Sequence, residues 1–326
     1  MKMNHNRRAF LSRSASLLPA LLAAQPTWPA SDLTTSLIVP NPAGAGNDAS
    51  ARLLARILQD ETHLSVIVEN ISGASGIIAA NKLLNTSAPD NTLMLSSLSL
   101  ISYLPNLSPE LISFNPSKEF IPLAIVSVQK FVLVASTEFD ANAFLQRKSR
   151  KSQSSPPFFG MNGSAGVLPF MSRCFASLIQ KKVEFVPYRG MNEVGQAMLS
   201  GQIQLAIVDE MTALKLQDSG KARPVLTLSS EPCILFPDLP LWSSLGYPYF
   251  SMDAPFGVFA CERMSTQRFS ELAEKLGTAL QFPAFQDGMR KLGIKPLVKV
   301  GTDAQQFVKN ETMRAHKLIA RYRNKI

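Results

Sequence analysis

One alternation constrains this chain more than any other feature: a short apolar strand, a Gly-rich loop, then a helix, repeated along the sequence. Leu33–Val39 is a β-rich apolar run ending at Pro40. Asn41-Pro-Ala-Gly-Ala-Gly46 reads as a loop. Asn47-Asp48 can cap the helix that follows, whose apolar positions Ala51, Leu54, Ala55 and Leu58 have helical spacing. The theme repeats with a strand at Leu64–Val68, the loop Ser72-Gly-Ala-Ser-Gly76, a helix over Ile77–Leu84 and a strand at Thr92–Ser97. It returns at Phe158–Gly166, with a helix over Val167–Ile179 and strands at Val183–Pro187 and Leu205–Val208. Such alternation predicts α/β architecture with parallel sheets. Further strands are expected at Ala222–Leu228 and Pro255–Ala260, and the tail reads as helices over Thr266–Leu280, Pro283–Leu292 and Thr302–Arg323.

The 326 residues exceed one comfortable core, so two lobes are expected. The long apolar run Phe120–Ser136 can carry the chain out of the first, and Pro255–Ala260 can return it. This places residues 31–135 plus 253–326 in lobe 1 and 136–252 in lobe 2. Residues 1–30 read as a leader: Arg7-Arg8 followed by Phe10-Leu11, an apolar stretch from Leu17 to Ala24, and small residues to Ala30. The arginine pair resembles a twin-arginine export signal, and a plain secretory signal with a chance Arg pair is the alternative. Loss of the leader removes Lys2, Arg7, Arg8 and Arg13 and no acid, which lowers the formal charge from +9 to +5. That mild excess suits an anionic ligand. No basic stripe interleaved with aromatics points to nucleic acid. The dense basic run Arg147–Lys151 reads as a solvated helix end and loop.

Cys174, Cys233 and Cys261 are far apart, with no C-x-x-C and no metal spacing, and read as buried apolar residues. Beyond the leader only His63 and His316 remain, poor material for zinc or a His-based triad. No cofactor is called for.

Loops at the carboxyl ends of parallel strands face helix N-termini, where free N–H groups and the helix dipole favour anions. Three such loops are present: 42–48, 72–76 and 160–166. The first has a rival reading. Gly44-Ala-Gly46-Asn-Asp-Ala49 matches G-x-G-x-x-A after a strand, with Glu69 near the spacing of a ribose-binding acid, as in a nicotinamide-dependent oxidoreductase. Against it stand Pro40 and Pro42 in the approach and the Asp48 carboxylate where a pyrophosphate would lie. Asn162-Gly-Ser164-Ala-Gly166 misses the nucleophile-elbow pattern, because Asn stands where the first Gly is required. Ser164 reads as a helix cap or a hydroxyl offered to a ligand.

These segments resemble a known family in order. Ile38-Val-Pro-Asn-Pro-Ala-Gly-Ala-Gly-Asn-Asp48, Val68-Glu69-Asn70 with Gly73–Gly76, Ala88-Pro89-Asp90, Val186-Pro187-Tyr188-Arg189-Gly190, Gly201-Gln-Ile-Gln-Leu with Asp209, and Phe256-Gly-Val-Phe-Ala260 are similar to the Bug proteins. Those are the extracytoplasmic solute receptors of tripartite tricarboxylate transporters. The resemblance implies a type II periplasmic-binding-protein fold, two α/β lobes joined by crossing strands, closing over a small carboxylate. It implies no catalysis, a permease or a signalling sensor as partner, and a monomeric mature protein in the periplasm.

Carried over by position, the first lobe would offer Pro42, Ala43, Gly44, Gly46, Asn47 and Asp48, with Ser96 and Ser97 at the end of the third strand. The second would offer Asn162, Gly163, Ser164, Gly166, Tyr188, Gly190 and Asp209. Tyr188 can equally pack at the hinge side, and Asp209 can equally cap a helix. Ala45, Asn47 and Asn91 depart from the family's usual residues.

Overall fold

A computed structural model describes residues 34–145, 155–164, 166–246 and 251–323. The expected leader and the basic run Arg147–Lys151 lie outside the described residues. Residues Thr34–Ile326 cohere as one unit.

The chain starts the first sheet at β1 (Thr35–Val39), whose alternate residues all reach apolar neighbours because both sheet faces are covered. α1 (Gly46–Thr62) buries Ala51, Leu54, Ala55 and Leu58, the stripe expected from their spacing. It ends at His63, whose left-handed backbone (φ 55°) returns its N–H to the Leu58 carbonyl. That turn drops Leu64 into the core, so β2 (Val66–Asn70) begins two residues later than the apolar run predicts. α2 (Ile77–Leu84) leads to β3 (Thr92–Ser97), and β1 pairs in parallel with both β2 and β3. Two short helices, α3 (Leu104–Leu107) and α4 (Pro116–Glu119), precede β4 (Phe120–Gln129).

At Lys130 the chain changes sheets. β5 (Phe131–Ser136) pairs with strands of the second sheet on both sides, so the first crossing falls at Lys130, not after residue 135 as expected. The run Phe120–Ser136 contains no Gly, Asn or Asp to mark a turn, and Gln129-Lys130 is its only pair of adjacent polar residues. The second sheet continues through α5 (Ala141–Leu145), β6 (Phe158–Asn162), α6 (Val167–Ile179), β7 (Glu184–Tyr188), α7 (Met191–Leu199), β8 (Leu205–Asp209), α8 (Glu210–Asp218) and β9 (Ala222–Thr227). Its order is β7-β6-β8-β5-β9, with β6 parallel to β7 and β8.

β10 (Ala254–Cys261) then enters the first sheet between β3 and β4, antiparallel to both. Gln129 pairs with Ala254, so the two crossings run side by side. α9 (Thr266–Gln281), α10 (Pro283–Lys291), β11 (Ile294–Val300) and α11 (Thr302–Tyr322) complete the chain, and the first sheet has the order β11-β4-β10-β3-β1-β2. β11 was not foreseen: Lys295, Pro296 and Lys299 break its apolar pattern, which a sheet edge tolerates and a central strand does not. α11 also corrects the lobe assignment of the tail. Ala304 and Val308 lie in the first lobe's core, while Ala315, Ile319 and Tyr322 lie in the second's. The last helix therefore spans both lobes.

Candidate functional site

The carboxyl ends of β1 and β2 in one lobe, and of β6 and β7 in the other, carry the glycine-containing loops, while β3 and β8 run directly into helical turns. In the loop after β1, Gly44 has φ 82° and Ala45 closes a turn onto the Pro42 carbonyl at 3.3 Å. Asp48 holds the turn from the first turn of α1. Its Oδ2 accepts from the Gly44 N–H at 2.8 Å and from Arg52 Nε at 3.0 Å, and its Oδ1 accepts from Asn70 Nδ2 at 2.9 Å. Asn70 also donates to the Asn41 carbonyl at 3.0 Å, and the Asn47 side chain donates to Asn41 Oδ1 at 2.9 Å. Burial pushes the Asp48 pKa up, but Arg52, the Gly44 N–H and Asn70 outweigh it, and the net direction is down. Asp48, assigned from sequence to the ligand, thus has both oxygens engaged within its own lobe. Pro42, Ala43 and Gly44 stay at the exposed rim of this pinned loop, and Gly46 and Asn47 begin α1 with no side-chain cap. A methyl group built on Gly44 or Gly46 would meet nothing within 4 Å, so these glycines face open space.

Ser96 is 2% exposed, lies opposite Gly257 in the sheet, and its hydroxyl donates to the neighbouring Ser97 carbonyl at 3.4 Å. Ser97 receives the Ser99 N–H at 3.1 Å. The carboxyl end of β3 therefore builds its own turn. Period-2 counting along Thr92–Ser97 cannot distinguish an inward hydroxyl from one aimed at a ligand.

In the second lobe Asn162 pairs with Tyr188 across β6 and β7, and the Gly163 N–H donates to the Tyr188 carbonyl at 2.8 Å. Gly163 (φ 90°) and Gly166 (φ 102°) adopt backbone that favours glycine. They bring the chain to the start of α6, which has no side-chain cap. Ser164 is exposed, and its carbonyl accepts from Arg173 Nη2 at 3.4 Å. Gly190 opens α7 onto free space, while the Arg189 N–H goes to Glu193 Oε2 at 3.0 Å. The Tyr188 ring packs against the core on one face of the second sheet, the alternative its sequence left open. Asp209 likewise takes its alternative: Oδ1 accepts from the Thr212 N–H at 2.9 Å and Oδ2 from the Thr212 hydroxyl at 3.0 Å, capping α8.

The two sets of loops meet. A methyl group built on Gly166 would come within 3.9 Å of Ser75 Oγ, in the loop after β2. Glu69, the acid of the rival dinucleotide reading, is an exposed strand residue that accepts from Ser36 Oγ at 3.3 Å. Cys174, Cys233 and Cys261 are buried and unpaired by disulfides, and burial raises the Cys174 and Cys233 thiols to about 12.

Two α/β lobes, side-by-side crossing strands and Gly-rich loops facing across the seam define a solute-binding protein of the type II periplasmic class. The family described as "Tripartite tricarboxylate transporter family receptor" matches residues 50–323, and the chain belongs to it. It is 27% identical over 297 residues to Protein BugT of Bordetella pertussis, covering 88% of each chain. Its fold is similar to MatC from Rhodopseudomonas palustris with bound malate, with a TM-score of 0.74, 22% identity and coverage of 88% of this chain and 98% of that one. It is also similar to an R. palustris protein solved with adipate, with a TM-score of 0.77, 21% identity and coverage of 90% and 97%.

Proposed function

We propose that this protein is an exported receptor that captures a small carboxylate between its lobes in the periplasm and hands it to a tripartite tricarboxylate-type permease. One observation carries the reading: each lobe has a helix start with no side-chain cap after a glycine loop, Gly46 of α1 and Val167 of α6, and a methyl group built on Gly166 before α6 would lie 3.9 Å from Ser75 Oγ of the other lobe. An anion at a helix start gains about 0.3–1 kcal/mol when exposed and up to about 2 kcal/mol when partly buried. Closure excludes water and moves each contact toward the upper figure. The ligand then biases the closed form by its preference for it. The malate and adipate in the related structures support a dicarboxylate as the first class to test. The leader's Arg7-Arg8 supports twin-arginine export.

Membership of a receptor family supports a binding role without catalysis. The oxidoreductase alternative is weakened by that membership and by Glu69, its expected ribose partner, which accepts from Ser36 Oγ at 3.3 Å. The test is thermal unfolding of the mature protein with malate, adipate, citrate, aspartate, NAD and NADP. A ligand at a hundred times its Kd adds about 2.7 kcal/mol. A shift with acids and none with nucleotides is expected; a shift with NADP alone overturns the proposal.

A further inference from the structure

The loop between β2 and α2 contains a run of four residues with positive φ: Gly73 at 130°, Ala74 at 45°, Ser75 at 55° and Gly76 at 93°. Glycine accommodates this backbone. Ala74 and Ser75 do so only at a cost, about 1–2 kcal/mol each for an L-residue in the left-handed region. Such strain persists only where the surroundings over-determine it. Here the Gly76 N–H closes onto the Gly73 carbonyl at 2.9 Å, and the Ile71 N–H onto the Val39 carbonyl at 2.9 Å. Gly76 itself lies against Pro40 and Leu100, where an added methyl would make ordinary contact at 3.4 Å with each, so its φ of 93° rather than space is what favours glycine there. The base of the loop is thus clamped to the first lobe, and its tip is forced outward. Ser75 stands at that tip, exposed, with its hydroxyl close to the built methyl position at Gly166 of the other lobe.

We infer that Ser75 is the first lobe's closing contact, its hydroxyl donating across the seam to the ligand carboxylate seated at the start of α6. This rests on the receptor reading above and extends it. The loop Ser72–Gly76, rather than Ser96 and Ser97, supplies the hydroxyl on the first-lobe side. A serine held in left-handed backbone points where a relaxed one would not. Ala74 bears the same strain without a donor, which makes it the matched control.

The experiment compares Ser75→Gly, Ser75→Ala and Ala74→Gly with the wild-type mature protein. Each is melted without ligand and then titrated with whichever of malate, adipate, citrate or aspartate shifts the wild type most. Ala74→Gly is expected to raise the ligand-free Tm and keep Kd within twofold. Ser75→Gly is expected to raise the ligand-free Tm as well, yet weaken binding at least tenfold. A purely structural serine would not move stability and affinity in opposite directions. Ser75→Ala keeps the strain, so its ligand-free Tm stays near wild type while binding weakens to the same extent. Wild-type Kd in both Ser75 variants overturns this inference and leaves the receptor reading intact. No shift of the wild type by any of the acids overturns both.

Discussion

The two sides of the hinge are built from different chemistry. At the carboxyl ends of β1, β2 and β3 and of the second lobe's parallel strands, the described loops offer backbone, glycines and hydroxyls, and the Asp48 and Asp209 carboxylates are engaged within their own lobes. On the β11 side, a cavity of about 410 Å³ is lined by Lys130, Glu231, Pro232, Ile234, Arg290, Lys295 and Pro296. Lys130, 3% exposed at the first crossing, donates to the Pro232 carbonyl at 2.7 Å and reaches Glu231 Oε2 at 3.4 Å. Glu231 is also bound by Lys295 of β11. A seam that must open and dehydrate repeatedly is cheaper to build from neutral dipoles, because an unpaired charge pays its desolvation at every closure. A pivot can keep its charges, because they stay paired.

The largest expected break in this comparison is Asp48→Ala. It strips the buried carboxylate acceptor from the Gly44 N–H, Asn70 and Arg52 at once, at a cost of about 1.5–3 kcal/mol for the lost charge-assisted hydrogen bonds. Chemical denaturation measures the loss, and the glycine loop it pins should lose its ligand response with it. The pH dependence has a definite sign. The folded-state pKa of Asp48 lies below the ordinary 3.8, so its contribution is complete at neutral pH and fades as pH falls below about 4. The variant should lack that acid limb.

Behind the hinge the sign reverses at Glu210. Its Oε2 accepts from the Leu235 N–H at 2.7 Å, while Oε1 is buried without a hydrogen-bond partner among the described residues. Burial raises its pKa, against the Leu235 N–H and the Lys130 charge. A raised carboxyl contributes stability that is present below its unfolded pKa and is lost as pH rises through the folded value. Glu210→Gln is therefore expected to gain on the wild type as pH rises above the ordinary 4.5, by on the order of 1–2 kcal/mol in chemical denaturation. A gap that does not change with pH would place the strain elsewhere.

The architecture was legible because strand, glycine loop and helix recur with their own periodicities, and burial follows those periodicities at Leu54, Leu58 and Leu93. Three features escaped. The crossing at Lys130 leaves no turn signal, because a strand that changes sheets keeps its pattern. β11 hides under Lys and Pro, which an edge permits. The direction of a polar side chain at a strand end is set by tertiary partners, so Ser96 and Asp209 read as site residues although one is buried in the sheet and the other caps α8. Ser75 was missed in the opposite way. Its loop was recognised as a glycine loop, but the left-handed backbone that turns its hydroxyl outward is invisible in residue identities.

Asp209→Ala sharpens the contrast at smaller scale. Loss of an N-cap costs about 1 kcal/mol, and with both oxygens on Thr212 the Kd should stay within twofold; a large loss of affinity would return Asp209 to the site. The smallest expected stability change is Glu231→Gln. Glu231 is 56% exposed and the buried Lys130 ammonium keeps the Pro232 carbonyl at 2.7 Å, so the loss is about 0.2–1 kcal/mol and should shrink further in high salt. Its position matters more than its energy. It ties the loop after β9 to Lys130 at the crossing and to Lys295 at the edge of the first sheet, so it restrains one lobe against the other. Loosening it should alter the lobe angle of the ligand-free protein, measured by small-angle scattering, while the unfolding free energy hardly moves. An unchanged scattering profile would mean that the restraint lies in the paired crossing strands and α11 alone, and that the charges behind the hinge only satisfy one another.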